Sequence, residues 1–252
     1  MIRIETIDPE PLSALRYLNA RSGGGSEVSR LEFSIAHVGP LADELDAIVC
    51  CSDLQGMVAG ELLGVAVADH LEPLVATPAR TGIVLAGDLY SVPAANKRGG
   101  FGDVASVWQA FADRFAWVVG VAGNHDDVSN VEGDNVHVLD GSTVVIDGLR
   151  FGGVGGVIGN PNKPGRRDEA AHLDALLDVI RAEPDVLVLH EGPHGDDAQP
   201  GNADIRAAIE AGKTAFTVCG HVHWHEPLAE LERGQIINVD ARVLILRAGP
   251  LR

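Results

Sequence analysis

Five short apolar runs in this chain end in side chains that bind metals or handle protons. Residues 47–51 lead into Ser52-Asp53-Leu54-Gln55-Gly56, and Val84-Leu85-Ala86 leads into Gly87-Asp88. Residues 118–121 precede Gly123-Asn124-His125-Asp126, residues 186–189 precede His190, and residues 215–219 precede Gly220-His221-Val222-His223. A Gly-Asp turn alone says little. Asn-His-Asp after a glycine says more, because three consecutive polar groups behind a buried run all need partners. His-x-His puts two imidazoles on one side of an extended segment, where both can reach a common cluster. Carboxylates, an amide and imidazoles delivered together are a donor set for divalent cations.

Apolar runs of this length, bounded by glycine and polar residues, read as buried strands. Five strands would then each present a donor at the C-terminal end, the edge where α/β sheets hold their ligands. Before them the sequence predicts an edge strand over 1–7, a helix over 9–20 from the spacing of Leu12, Leu15 and Leu18, and a flexible break over 22–26. A strand over 31–38 and a short helix over 40–46 follow. From residue 47 the pattern alternates: strand 47–51, helix 58–74, strand 82–86, polar loop 88–102, helix 103–115 capped by Asp103, strand 117–121. Strands over 136–139, 143–146 and 149–151 are separated by Asp140-Gly141 and Asp147-Gly148, both hairpin signals. A glycine-rich loop over 152–159, helices over 166–182 and 202–211, and strands over 228–231, 235–239 and 242–247 complete the chain. Hairpins mixed with βαβ units imply an α/β fold of two packed mixed sheets flanked by helices. The expectation is a single domain, 1–252, with 1–46 as an N-terminal extension packed on it. A lid, an edge strand and an oligomer contact all fit that extension.

The chain has 252 residues, with 19 Lys+Arg against 36 Asp+Glu and a formal charge of -17. That balance argues against binding extended duplex nucleic acid, whose affinity rests on cationic contacts to phosphate. It leaves room for a small or cyclic nucleotide held through metals. Cys50, Cys51 and Cys219 fall inside expected strands and read as buried free thiols in a reducing compartment. No basic region followed by an apolar run opens the chain, and no apolar stretch is long enough to span a bilayer. A cytoplasmic protein with a small-molecule partner and no membrane association is expected.

The order Asp53-Leu54-Gln55, Gly87-Asp88, Gly123-Asn124-His125-Asp126, His190 and Gly220-His221-Val222-His223 resembles the calcineurin-like metallophosphoesterases, over roughly residues 47–247. One position departs: the family's first motif is Asp-x-His, and Gln55 stands where that His would be. The resemblance implies an αββα sandwich around two divalent ions, manganese first, with iron or zinc as the other choices. It implies that Asp53, Gln55, Asp88 and His223 surround the first ion. Asp88, Asn124, His190 and His221 surround the second, with Asp88 as the bridge. His125 matches the residue that protonates the leaving oxygen or stabilises developing charge, and Asp126 a position that orients that His. Two ions about 4 Å apart can neutralise phosphoryl oxygens and activate water for in-line attack without a covalent intermediate. The expected activity is hydrolysis of a small or nucleotide-like phosphodiester. A phosphomonoesterase is the near alternative; a nuclease and a non-catalytic metal-binding scaffold stand further off. Asn160, His194, Lys97 and Arg98 are candidate substrate contacts, the last three with a competing reading as exposed loop residues. The 152–159 run lacks the Lys-Ser/Thr of a phosphate-binding P-loop.

Overall fold

In the strand Ala47–Ser52 every residue is buried. Ile48 and Cys50 enter one apolar cluster, and Val49 and Cys51 enter another. Side chains alternate across a strand, so burial of both sets means that both faces of the sheet are covered. The computed structural model, which describes residues 2–196, 198–214 and 216–249, extends this pattern to a helix–sheet–sheet–helix sandwich.

Among the described residues the larger sheet has ten strands. Its centre is parallel: Ala47–Ser52, Thr81–Leu85, Trp117–Gly120 and Val136–Val138 lie side by side in that order. On the other side of Ala47–Ser52 come the antiparallel Arg242–Ala248, then Ser26–Val38, Ser13–Ala20 and the small hairpin Met57–Val58/Glu61–Leu62. Ile4–Ile7 pairs with the far end of Ser26–Val38. The second sheet has six strands among the described residues, in the order Ser142–Ile146, Leu149–Val154, Val186–Glu191, Phe216–Gly220, Gln235–Asn238, Leu228–Glu230. Ile48, Cys50, Val84 and Val119 of one sheet meet Phe151, Val188, Phe216 and Val218 of the other in the central core. Helices α1 (Leu63–Leu71) and α2 (Ala105–Ala112) cover the outer face of the large sheet through Val67, Leu71, Trp108 and Phe111. Helices α3 (Glu169–Arg181) and α4 (Ala203–Ala211) cover the second sheet through Leu176, Val179, Ile205 and Ile209. Asp168 and Asn202 cap these two helices by accepting backbone N–H bonds. All three cysteines are free and buried. Among the described residues no helix is long and apolar enough to cross a membrane.

Several local expectations are corrected. Residues 9–20 form no helix: Ser13–Ala20 is a strand, paired antiparallel from Ser13↔Phe33 to Ala20↔Ser26. The leucine spacing misled because Tyr17 carries the buried face, while Leu12 and Leu18 are left exposed. Residues 22–26 contain the turn of this hairpin, which continues the large sheet. Residues 40–46 contain no helix. The helix expected from residue 58 begins at Leu63, because Ala59 and Gly60, both at positive φ, turn a hairpin first. Asp103 does not cap α2, since Val104 intervenes, although its carboxylate accepts Ala105 N–H at 2.7 Å. Asp147-Gly148 does turn a hairpin, with both residues at positive φ. Asp140-Gly141 does not: the strand before it belongs to the large sheet and the strand after it to the second. The first residues of the 152–159 run belong to the strand Leu149–Val154, and α3 starts at Glu169 rather than 166. Met1 and Ala215, at the edges of two expected strands, lie outside the described residues.

Candidate metal centre

The C-terminal ends of the parallel strands in both sheets meet at one seam. The large sheet brings Asp53 and Gln55, Asp88, and Asn124 with His125; the second sheet brings His190, His221 and His223. An isolated bridge between Ser52 and Asp240 joins the two edges. Asp53, Asp88 and His221 adopt φ values of 53°, 55° and 68°. Non-glycine residues rarely hold this left-handed conformation, and such strain collects where geometry serves function. Gly87 and Gly123 make the close approach possible. A Cβ on Gly123 would lie 2.0 Å from Asp88 Oδ1, and one on Gly87 would lie 2.7 Å from His190 Nδ1.

Asp88, His190 and His221 offer ligand atoms that all lie within 4.8 Å of one another. Asp88 Oδ1 accepts His125 N–H at 3.0 Å and stands 3.3 Å from His190 Nε2; its Oδ2 accepts the Gln55 amide at 3.1 Å. His190 is fully buried, and its Nδ1 is 2.8 Å from the Ala86 carbonyl. A carbonyl only accepts, so Nδ1 carries a proton and Nε2 is the ring nitrogen left to face Asp88. His190 Nε2 and Asn124 Oδ1 are both buried without a hydrogen-bond partner. His190 Nε2 thus faces the Asp88 carboxylate, and Asn124 Oδ1 is a buried acceptor with no donor. Buried acceptors left so are costly, and a divalent cation is what satisfies such a set. The residues fit a metal.

Electrostatics agree. Burial by itself pushes the His190 imidazole down, but the Asp88 and Asp53 carboxylates and the Ala86 carbonyl outweigh it and raise it to about 10. A proton here takes the place of a cation. His221 is held down at about 4 by burial, with His190 and Arg166 adding to the effect, so it is neutral at neutral pH. Burial raises Asp53, opposed by His190 and reinforced by Asp240 and Asp88. Burial acts on Asp88 in the same sense, yet His190 and His125 leave it lowered.

Asp53 and Gln55 line a cavity of about 320 Å³ together with Asp88, His125, His221 and Arg98. Asp53 Oδ2 accepts His221 N–H at 2.9 Å. His223 Nδ1 lies 3.1 Å from Oδ1 of Asp240, which lines the same cavity, and its Nε2 lies 3.4 Å from Arg242 Nη2. His125 Nδ1 lies 2.5 Å from the Gly100 carbonyl, so that carbonyl orients the ring. The orienting role expected of Asp126 is therefore corrected. Its Oδ1 accepts Leu89 N–H at 2.7 Å and Tyr90 N–H at 3.0 Å, and its Oδ2 accepts Gly123 N–H at 2.8 Å. Of the four candidate substrate contacts, Arg98 lines the cavity. Lys97 and Asn160 are exposed outside its lining, and Asn160 Oδ1 is taken by Asn162 N–H. His194 holds the Gln199 carbonyl at 2.9 Å.

The cavity also includes Tyr17, Asn19 and Asp240, which the sequence reading missed. Asp240 had a signal: it follows a strand, as every other donor does. Tyr17 and Asn19 had none while 9–20 read as a helix.

A sequence model of the calcineurin-like phosphoesterases matches residues 47–225. No curated protein matches the chain. Among solved structures, TT1561 of Thermus thermophilus is similar at 16% identity over 78% of this chain and 90% of its own, with a TM-score of 0.60. That likeness is one of fold. The protein of unknown function AQ665 from Aquifex aeolicus aligns at 14% identity over 79% of this chain and 95% of its own, with a TM-score of 0.39, too low to bear on the comparison.

Proposed function

The chain belongs to the calcineurin-like phosphoesterase family, and we propose that it is a phosphodiesterase dependent on two divalent ions, acting on a small or nucleotide-like ester. The observation that carries this reading is the cluster of Asp88, His190 and His221, whose ligand atoms lie within 4.8 Å of one another, beside Asn124, whose Oδ1 is buried without a hydrogen-bond partner. These four would hold one ion. Asp53, Gln55 and Asp88 would hold the other, with His223 as the fourth ligand once its ring leaves Asp240. When bound, the ions supply charge neutralisation for phosphoryl oxygens and a nucleophilic water at neutral pH.

The chain's own groups do the rest. His125 donates from Nδ1 to Gly100, so its Nε2, 3.8 Å from Asp88 Oδ2, is the atom that can carry a proton to the leaving oxygen. Protonation matters most when the leaving group is an alkoxide, which favours esters with poor leaving groups. The amide of Gln55 is isosteric about its terminal torsion, so a half-turn presents Oε1 instead of Nε2 to the same point. Oxygen-rich surroundings at the first site suit manganese, whereas the two imidazoles of the second suit iron or zinc.

The test is a panel of phosphomonoesters, linear and cyclic phosphodiesters and pyrophosphates, each assayed with Mn²⁺, Mg²⁺, Zn²⁺ and Fe²⁺ and after chelation. Diesters should turn over fastest, and chelation should abolish turnover. Faster monoester turnover would make the protein a phosphomonoesterase. Bound metal without hydrolysis of any ester would make it a scaffold.

A further inference from the structure

The hairpin of residues 13–38 precedes the segment that the family model matches, yet it borders the metal cavity on two sides. On one side the Tyr17 ring packs over Gly56, directly after Gln55: a Cβ on Gly56 would fall 2.3 Å from Tyr17 Cδ2. On the other, the hairpin turn is tied to the loop that follows Asp88. Gly25 N–H donates to the Asn96 carbonyl at 3.0 Å, and Ser26 Oγ donates to the Ala94 carbonyl at 3.3 Å. Arg98 Nε donates to the Ala20 carbonyl at 3.2 Å. The same loop ends at Gly100, the acceptor that orients His125. The hairpin is therefore braced against the segment carrying both the rim arginine and the anchor of the proton-handling imidazole.

This bracing leaves two sets of donors free. Arg98 is fixed through Nε, and among the described residues its terminal nitrogens have neither a hydrogen bond nor an ion pair, although Asp53, Asp88 and Asp240 line the same cavity. Asn19 Oδ1 accepts Ala20 N–H at 2.8 Å, and among the described residues its Nδ2 has no partner. A guanidinium fork matches a phosphoryl group through parallel N–H bonds. Because the Ala20 bond already holds the stem, less rotamer freedom remains to be lost on binding.

We propose that the N-terminal hairpin is the recognition element for the substrate's phosphoryl group, presenting Arg98 and Asn19 as a donor pair that grips its non-bridging oxygens opposite the metal ligands. The proposal rests on the phosphoesterase reading above. It assigns the segment outside the family match a task in binding and leaves proton handling to His125.

Inorganic phosphate is the probe, titrated calorimetrically into the Mn²⁺-loaded protein. Arg98→Ala should weaken phosphate binding about 10- to 100-fold, the range of a charge-assisted bond lost. Arg98→Lys should recover only part of it, since an ammonium supplies charge without the fork. Asn19→Ala should cost a few-fold. In ester turnover these losses should fall on KM more than on kcat, with Mn²⁺ binding unchanged, and only Arg98→Ala, which also loses its bond to the Ala20 carbonyl, should lower the thermal midpoint slightly. A wild-type protein that binds phosphate and hydrolyses esters, with Arg98→Ala and Asn19→Ala equal to it in both affinity and KM, removes the hairpin from recognition and leaves the phosphoesterase reading standing. Mn²⁺ uptake without phosphate binding or hydrolysis in the wild type overturns both.

Discussion

Asp126 is the residue whose substitution best separates scaffolding from chemistry. Its carboxylate is 4% exposed and accepts three backbone N–H bonds, from Leu89, Tyr90 and Gly123. Leu89 and Gly123 are the chain neighbours of Asp88 and Asn124, so one side chain ties together two loops of the metal centre. In Asp126→Asn one oxygen can still take Leu89 and Tyr90, but the amide nitrogen must face Gly123 N–H, donor against donor. Losing that bond and leaving a buried N–H unpaired costs about 2 kcal/mol, and weakening two charge-assisted bonds to neutral ones adds about 1. For a chain of this size, about 3 kcal/mol corresponds to about 6–12 °C in Tm. Urea and thermal unfolding of the apo protein should read that loss. Mn²⁺ titration should read weaker binding, because the loops carrying Asp88 and Asn124 are no longer braced. If stability falls by less than about 1 kcal/mol while turnover of poor-leaving-group esters drops sharply, Asp126 acts on catalysis and the bracing argument is wrong.

Three further outcomes are expected. Gln55→His should tighten the first metal site and shift its preference from Mn²⁺ towards Zn²⁺ or Fe²⁺, because an imidazole replaces an amide 3.1 Å from Asp88 Oδ2; equal titrations for both proteins would place Gln55 outside the coordination sphere. His125→Ala should slow esters with alkoxide leaving groups about 10²- to 10⁴-fold and nitrophenyl esters far less, whereas equal losses across a leaving-group series would assign His125 to charge stabilisation. His172, fully buried in α3 with both ring nitrogens unpartnered, is pushed by burial from 6.5 down to about 4, with Arg167 adding to it. Between those values the unfolded chain binds a proton that the folded chain does not, so stability is lost as pH falls, by about 2 kcal/mol at pH 5 and about 3 at pH 4. In His172→Leu the drop in urea-derived stability between pH 7.5 and pH 5 should shrink by about 2 kcal/mol; parallel profiles for the two proteins would mean that His172 does not titrate in this way.

The motifs themselves were legible because their signal is local. A buried strand needs an uninterrupted apolar run, and a donor that must face a ligand has to interrupt that run at its end. Asp53, Asp88, Asn124, His190 and His221 each sit at such an interruption, and the strands before them lie where the runs are. The Asp147-Gly148 hairpin was local in the same sense. What the chain's linear pattern could not decide was pairing across distance. Leucines at three-residue spacing in 9–20 satisfy a helix, but the backbone there found a partner in Ser26–Val38, and the ladder moved the buried face to Tyr17. Asp140-Gly141 carries the same turn residues as Asp147-Gly148, yet the strands on its two sides belong to different sheets. The Asp126 carboxylate could have met its neighbour's imidazole, but three N–H groups of folded loops claimed it first. Asp240 and Asn19 reached the cavity from outside the family's matched segment, Asp240 through its bridge to Ser52 and Asn19 through its ladder to Glu27, and only the assembled sheets make those pairings. Residue type and period are written in each short stretch, whereas the identity of a hydrogen-bond partner is settled by whichever group the closed sheets leave within about 3 Å.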